Sequence, residues 1–161
     1  MKQRLLVAYF SCSGVTANAA RVLAEAAGAD LYEIKPELPY TAADLNWNNR
    51  KSRSTVEMND PGSRPAIADN IANMAEYDAV FVGFPIWWYT APTIIKTFLE
   101  SYDFSDKTII PFATSGGSGF GKTEADLKKC CPAAGAWKTG RMMNGRQSVD
   151  SLTAWINDLN L

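Results

Sequence analysis

The chain has 161 residues, 47% apolar and 20% charged, with a net charge of −1. That is enough for one domain with a sizeable core and short for two. The charge balance excludes the basic footprint of a nucleic-acid binder or of a protein held at an anionic membrane.

In chain order, the N-terminus MKQRLLVAYFSCSG has a charged start and a short apolar run. The run ends in a Gly/Ser loop rather than a cleavage site, so it predicts a buried strand, Leu5 to Phe10, in a cytoplasmic protein. Val15 to Ala27 is Ala-rich and predicts a helix with Val15, Ala19, Val22, Leu23 and Ala26 on its apolar face, stopped by Gly28. Asp30 to Lys35 reads as a second strand. Pro36 to Pro65 shows neither period; its balanced charges, Tyr40 and Trp47 predict an ordered excursion beside the functional site. Asp78 to Phe84 is a third strand, and Pro92 opens a helix to about Tyr102. Thr108 to Ala113 is a fourth strand, Thr123 to Lys129 a helix, Ala136 to Met142 an edge strand, and Ser148 to Leu159 a closing amphipathic helix.

Strands alternate with helices and are apolar on both faces, which implies a parallel sheet covered on both sides. The expectation is an α/β fold, a three-layer, doubly wound, five-stranded parallel sheet. Ligands of such sheets bind beyond the carboxyl ends of the strands, at the switch in strand order. No apolar run approaches the roughly 20 residues of a membrane helix. Cys12, Cys130 and Cys131 have no framework spacing and predict free thiols. The chain has no histidine, which excludes Ser-His-Asp and Cys-His catalysis and removes the commonest zinc ligand. A cofactor is then the natural carrier of any chemistry.

Three loops follow the relevant strands. The first, Ser11 to Asn18, offers the hydroxyls of Ser11, Ser13 and Thr16, a tight turn at Gly14 and the amides of a helix N-terminus. It has no lysine or arginine, which suits a terminal monophosphate. Cys12 stands where a helix N-terminus can lower a thiol pKa, although packing as a small residue is the favoured role. The second loop places Phe84, Trp87, Trp88 and Tyr89 at a strand's carboxyl end, either as core or as a stacking surface for a flat heteroaromatic ring. The third, Thr114 to Gly121, is glycine-rich. Its stretch Gly116 to Thr123 also matches the triphosphate-loop pattern. That reading lacks an acidic residue at the end of the third strand to hold a metal, and Lys122 and Thr123 are expected to open an exposed helix.

Together the three loops resemble the flavodoxin family over nearly the whole chain. The match rests on Ser11-Cys12-Ser13-Gly14-Val15-Thr16, on Pro85-Ile86-Trp87-Trp88 followed by Ala91-Pro92, and on Thr114-Ser115-Gly116-Gly117-Ser118-Gly119. The resemblance implies the strand order 2-1-3-4-5 and FMN as cofactor. Ser11, Ser13, Gly14, Thr16 and the backbone of Cys12 and Val15 would hold its phosphate. Pro85, Ile86, Trp87 and Trp88 would line the isoalloxazine, and Thr114, Ser115, Gly116, Gly117, Ser118 and Gly119 would close its other side. Val15 stands where family members often have Asn, removing one phosphate contact. The family's glycine beside the flavin is missing between Phe84 and Ala91, which predicts a less stable half-reduced flavin.

The implied function is electron shuttling between a redox reductase and an acceptor enzyme, with no nucleic-acid or membrane partner. The alternative is an NAD(P)H-dependent FMN reductase of quinones, flavins or azo compounds. In that case Trp47, Arg50, Lys51 and Arg53 of the 36–65 excursion would supply a second pocket. A flavin-free interaction module is a third class.

Overall fold

The computed structural model describes residues 3–115 and 119–161. Five α-helices and six strands alternate along the chain: β1 Leu5–Tyr9, α1 Val15–Ala27, β2 Asp30–Glu33, α2 Arg53–Met58, β3 Ala79–Pro85, α3 Thr93–Glu100, β4 Thr108–Thr114, α4 Thr123–Cys130, β5 Ala136–Trp137, β6 Arg141–Met142 and α5 Val149–Leu159. All strand pairs are parallel, in the order β2-β1-β3-β4-β5, with β6 also on β4. This is the doubly wound order anticipated above. The switch falls between β1 and β3, so the loops leaving these two strands diverge and open a crevice.

The period-2 alternation of β1 splits the core. Leu6, Ala8 and Phe10 face a layer built by α3, α4 and the segment after β2, with Phe98, Ile94 and Leu127 fully buried. Val7 and Tyr9 face α1 and α5, where Leu23, Ala20, Leu152 and Met143 close the other layer. Burying both faces explains why β1, β3 and β4 read as unbroken apolar runs.

Three expectations need correction. First, α1 buries Thr16, Ala17, Ala19, Ala20, Leu23 and Ala24, while Val15 is 52% exposed. The small side chains face the sheet because they allow close helix approach, and the valines are turned aside. Second, the single edge strand expected at 136–142 is two short pairings. The chain takes four steps from Trp137 to Arg141 where β4 takes three from Ile109 to Phe112. This bulge lies opposite Pro111, a residue with no N–H to give the ladder.

Third, the 36–65 excursion contains a helix that its sequence does not announce. Ser52 caps α2 by accepting the Thr55 N–H at 3.4 Å, and Arg53 pairs with Glu57 one turn on at 3.0 Å. Six residues that bury only Ser54 and Thr55 carry no apolar stripe, so periodicity had nothing to detect. The excursion is pinned at its base by an antiparallel bridge between Pro36 and Ile67. Among the described residues no helix is long and apolar enough to cross a membrane.

Candidate functional site

The loop after β1 leaves the sheet in register with β3, because the Phe10 N–H donates to the Gly83 carbonyl at 2.9 Å. It then turns sharply. Ser11 Oγ accepts the Gly14 N–H at 3.2 Å, and Gly14 sits in the left-handed region at φ 88°. That turn aims the N-terminus of α1 across the carboxyl ends of the strands. The first amides of a helix have no intrahelical partner, so those of Val15, Thr16 and Ala17 point to the crevice. Ser13, Cys12 and Val15 are exposed, whereas Thr16 is buried.

Thr16 Oγ1 meets Thr114 Oγ1 at 2.8 Å, which ties the first loop to the start of the third. Only one of the two hydroxyl protons is needed for this bond, so the pair retains one donor for a third group. The Ile86 N–H donates to the Thr114 carbonyl at 2.8 Å and ties in the second loop. Three loops far apart in sequence therefore meet at Thr114.

The second loop is a tight reversal. Trp87 and Thr90 exchange backbone hydrogen bonds at 2.9 and 3.0 Å, and between them Trp88 and Tyr89 both have positive φ, 48° and 65°. Two left-handed central residues define a type I′ turn, normally made of Asn and Gly. Bulky aromatics there are strained. The turn is braced by Asp126 of α4 and by Gly121 of the third loop. Thr90 Oγ1 donates to Asp126 Oδ2 at 2.7 Å, and a Cβ on Gly121 would lie 2.6 Å from the Tyr89 carbonyl oxygen. The result presents Trp88, 38% exposed, and Tyr89, 70% exposed, at the rim of the crevice. Phe84 is fully buried and belongs to the core.

Behind the crevice lies an aromatic triangle. Phe10, Tyr40 and Trp87 pack edge to face with centroids 5.5 to 5.7 Å apart. Tyr40 comes from the excursion, which is thereby seated beside the first two loops. Its hydroxyl donates to Glu57, and the Arg53 guanidinium lies 3.8 Å over its ring. Burial, reinforced by the Glu57 carboxylate, pushes the Tyr40 hydroxyl pKa well above its usual value. Arg53 also reaches the Leu38 carbonyl, so it is committed to the fold rather than offered to a ligand. Trp47, Arg50 and Lys51 are exposed.

Two further residues depart from expectation. Cys12 is exposed rather than packed, and desolvation of its thiol outweighs the nearby Arg53 charge to push its pKa up to about 11. Thr123 is buried, and its hydroxyl donates to the Phe120 carbonyl. It cannot serve a metal-bound triphosphate, and only Lys122 of that pair is exposed.

Of the predicted third loop, Gly116, Gly117 and Ser118 lie outside the described residues, while Gly119 is exposed. The Ser115 N–H donates to Asn144 Oδ1 at 2.7 Å. Asn144 and Asp126 are site-building residues that sequence reasoning missed. The Asn144-Gly145 dipeptide was the available signal, since it marks a tight turn.

Comparisons with known proteins establish the family and the fold. The family model described as Flavodoxin matches residues 4–159, and the chain belongs to the flavodoxin family. It superposes with a TM-score of 0.94 on a crystallised protein from Bacteroides eggerthii DSM 20697 described as a flavoprotein, at 50% identity over 99% of both chains. A flavoprotein from Lactobacillus acidophilus NCFM, solved in complex with FMN, shares the fold at a TM-score of 0.73. It is 20% identical, with 99% of this chain and 100% of that one covered. A curated relative, the FMN-dependent NADH:quinone oxidoreductase 4 of Bacillus anthracis, is 32% identical over 81 residues, or 49% of this chain. The match spans 38% of the length of that relative.

Proposed function

We propose that this flavodoxin binds FMN and carries electrons between a reductase and an acceptor enzyme. The observation that carries the reading is the loop from Ser11 to Thr16, free of cations, set at the strand-order switch and locked to the other two loops through Thr16 and Thr114. Its donors suit a phosphate monoester. They are hydroxyls and the open amides of a 13-residue helix, whose dipole favours an anion. A Cβ on Gly14 would meet nothing beyond its chain neighbours within 4 Å. The FMN complex of the Lactobacillus relative supports the same cofactor.

When bound, FMN supplies the acceptance and donation of electrons, one or two at a time. The chain's own residues do the rest. Ser11, Ser13 and the α1 amides fix the phosphate. Pro85, Ile86, Trp87 and Trp88 offer an apolar wall to the ring system, tied to Thr114 through the Ile86 N–H. Trp87, backed by Phe10 and Tyr40, keeps water from one side, which disfavours added negative charge on the ring and lowers its potential. No side chain is required as an acid or base. Cytoplasmic operation belongs to the same proposal, and three free cysteines suit a reducing compartment.

An absorbance spectrum of the purified protein, before and after adding FMN and removing the excess, tests the reading. A retained flavin spectrum, lost in Ser13→Asp, is the expected result. Failure to retain flavin would overturn it. A second reading, an NAD(P)H-dependent quinone reductase, is favoured by the similarity over 81 residues to an NADH:quinone oxidoreductase. Rapid NADH oxidation by the FMN-loaded protein with a quinone, and no added partner, would select that reading over the carrier.

A further inference from the structure

The turn that leads into α5 carries Asn144 followed by Gly145, and no other asparagine of the chain precedes a glycine. Both residues are exposed, and both are held from other parts of the chain. Asn144 Oδ1 accepts the Ser115 N–H at 2.7 Å, which ties this turn to the third site loop. Gln147 Nε2 donates to the carbonyls of Asn144 and Gly145 at 3.1 and 3.4 Å. Gly145 turns in the left-handed region at φ 75°. Its N–H makes no backbone hydrogen bond among the described residues.

An asparagine side chain can be attacked by the backbone nitrogen of the residue that follows it. The nitrogen must be approachable, it must lose its proton, and the side-chain amide must accept negative charge. Gly145 is approachable, because it has no side chain and only open space where a Cβ would stand. Loss of its proton places charge on the Asn144 carbonyl oxygen, since the peptide group is conjugated. Gln147 Nε2 already donates to that oxygen. The adjoining Arg146 is exposed and forms no ion pair among the described residues, so its positive charge favours the same anion. Attack on Asn144 Cγ then places charge on Oδ1, where the Ser115 N–H stands ready. A backbone amide aimed at a developing oxyanion is the electrostatic device of acyl transfer. Both oxygens that gain charge therefore have a donor in place, and the donors come from segments far apart in the chain.

We infer that Asn144-Gly145 is a self-modification site, at which the fold promotes closure of the asparagine side chain onto its own backbone. Solvent hydroxide removes the Gly145 N–H proton. The nitrogen forms a bond to Asn144 Cγ, the Cγ–Nδ2 bond breaks, and Nδ2 leaves as ammonia after taking a proton from water. Water then opens the cyclic imide at either of its carbonyls. Opening at the side-chain carbonyl leaves aspartate, and opening at the backbone carbonyl leaves isoaspartate. One water is consumed, one ammonia is released, and nothing is oxidised or reduced. Either product adds a negative charge beside Ser115, and isoaspartate also lengthens the backbone by a methylene ahead of α5. The inference does not depend on the FMN reading, although its consequence falls on the third site loop.

The test ages the purified protein in mildly alkaline buffer, folded and in urea, and follows the tryptic peptide from Met142 to Arg146 by mass spectrometry. The mass gain of an amide-to-acid change measures the reaction, and an isoaspartyl methyltransferase identifies the isoaspartate. Conversion at Asn144 should be faster in the folded protein than in urea or in a synthetic peptide of the same sequence. Gln147→Met removes one donor and should slow the folded protein about threefold or more, with the rate in urea unchanged. Gln147→Glu replaces the donor with an acceptor and should slow it as well, and thermal melts establish that both variants are folded. An Asn144 that stays an amide in the folded protein, or that converts no faster folded than unfolded, overturns the inference. So does conversion at the wild-type rate in both Gln147 variants.

Discussion

The hydroxyls of Thr16 and Thr114, 98 positions apart in the chain, lie 2.8 Å from each other at the carboxyl ends of β1 and β4. Both are almost fully buried, at 2% and 4% exposure. Each single change to valine strands the partner hydroxyl, and we expect each to cost about 1–2 kcal/mol of stability. The double change removes both polar groups and should cost less than the two singles combined. Urea unfolding of the apo-protein checks this. Strictly additive costs would show that the bond contributes nothing.

The strained turn predicts a gain on relaxation. Tyr89→Gly should raise stability by about 1 kcal/mol, because glycine adopts φ 65° without the penalty that a tyrosine bears there. Gly121→Ala should destabilise by about 2 kcal/mol or more, since its Cβ would press on the Tyr89 carbonyl from a left-handed backbone. Thermal melts of the two variants should shift in opposite directions. A lower melting temperature for Tyr89→Gly would refute the strain.

The excursion is held by Arg53. Arg53→Met removes the guanidinium from the Tyr40 ring and leaves the largely buried Glu57 carboxylate with the Tyr40 hydroxyl but no cation, a loss of about 2 kcal/mol. Limited proteolysis should then cut within residues 36–65 of the variant while sparing the wild type. Arg53→Lys should restore little, because an ammonium cannot both stack and fork.

Cys12 should be a slow nucleophile. With its thiol pKa pushed up to about 11 by desolvation, the thiolate is scarce at neutral pH. Alkylation mapped by mass spectrometry should accelerate with pH until about 11. A profile that levels near the ordinary thiol value would contradict the desolvation.

Acid should loosen the edge of the sheet. The Tyr77 hydroxyl, 2.6 Å from Asp30 Oδ2, holds that carboxyl below its ordinary value with help from Arg4. A depressed folded pKa means that the stabilisation is complete above the ordinary carboxylate range. It fades as pH falls through that range to the lowered value. Urea midpoints should therefore fall less steeply with acid in Asp30→Asn than in the wild type. Parallel curves would remove Asp30 from the account.

Much of this molecule is written locally. Apolar runs at β1, β3 and β4 could only be strands buried on both faces. Gly28 stopped α1 where expected, with φ at 62°, and Gly14 made the tight turn after the first strand, with φ at 88°. These features depend on neighbours in sequence and on the demand that apolar side chains leave water, so one chain suffices to read them.

The rest is a matter of what meets what. Nothing local says that Thr16 pairs with Thr114, that Tyr40 crosses to Trp87, or that α2 forms on a cap and an ion pair rather than on a stripe. Nor does the sequence show that Trp88 and Tyr89 bear a backbone strain that Gly121 braces from the third loop and Asp126 from α4. Those outcomes rest on hydrogen bonds and ring contacts between segments far apart in the chain. Their partners are fixed only once the parallel sheet has set the loops side by side.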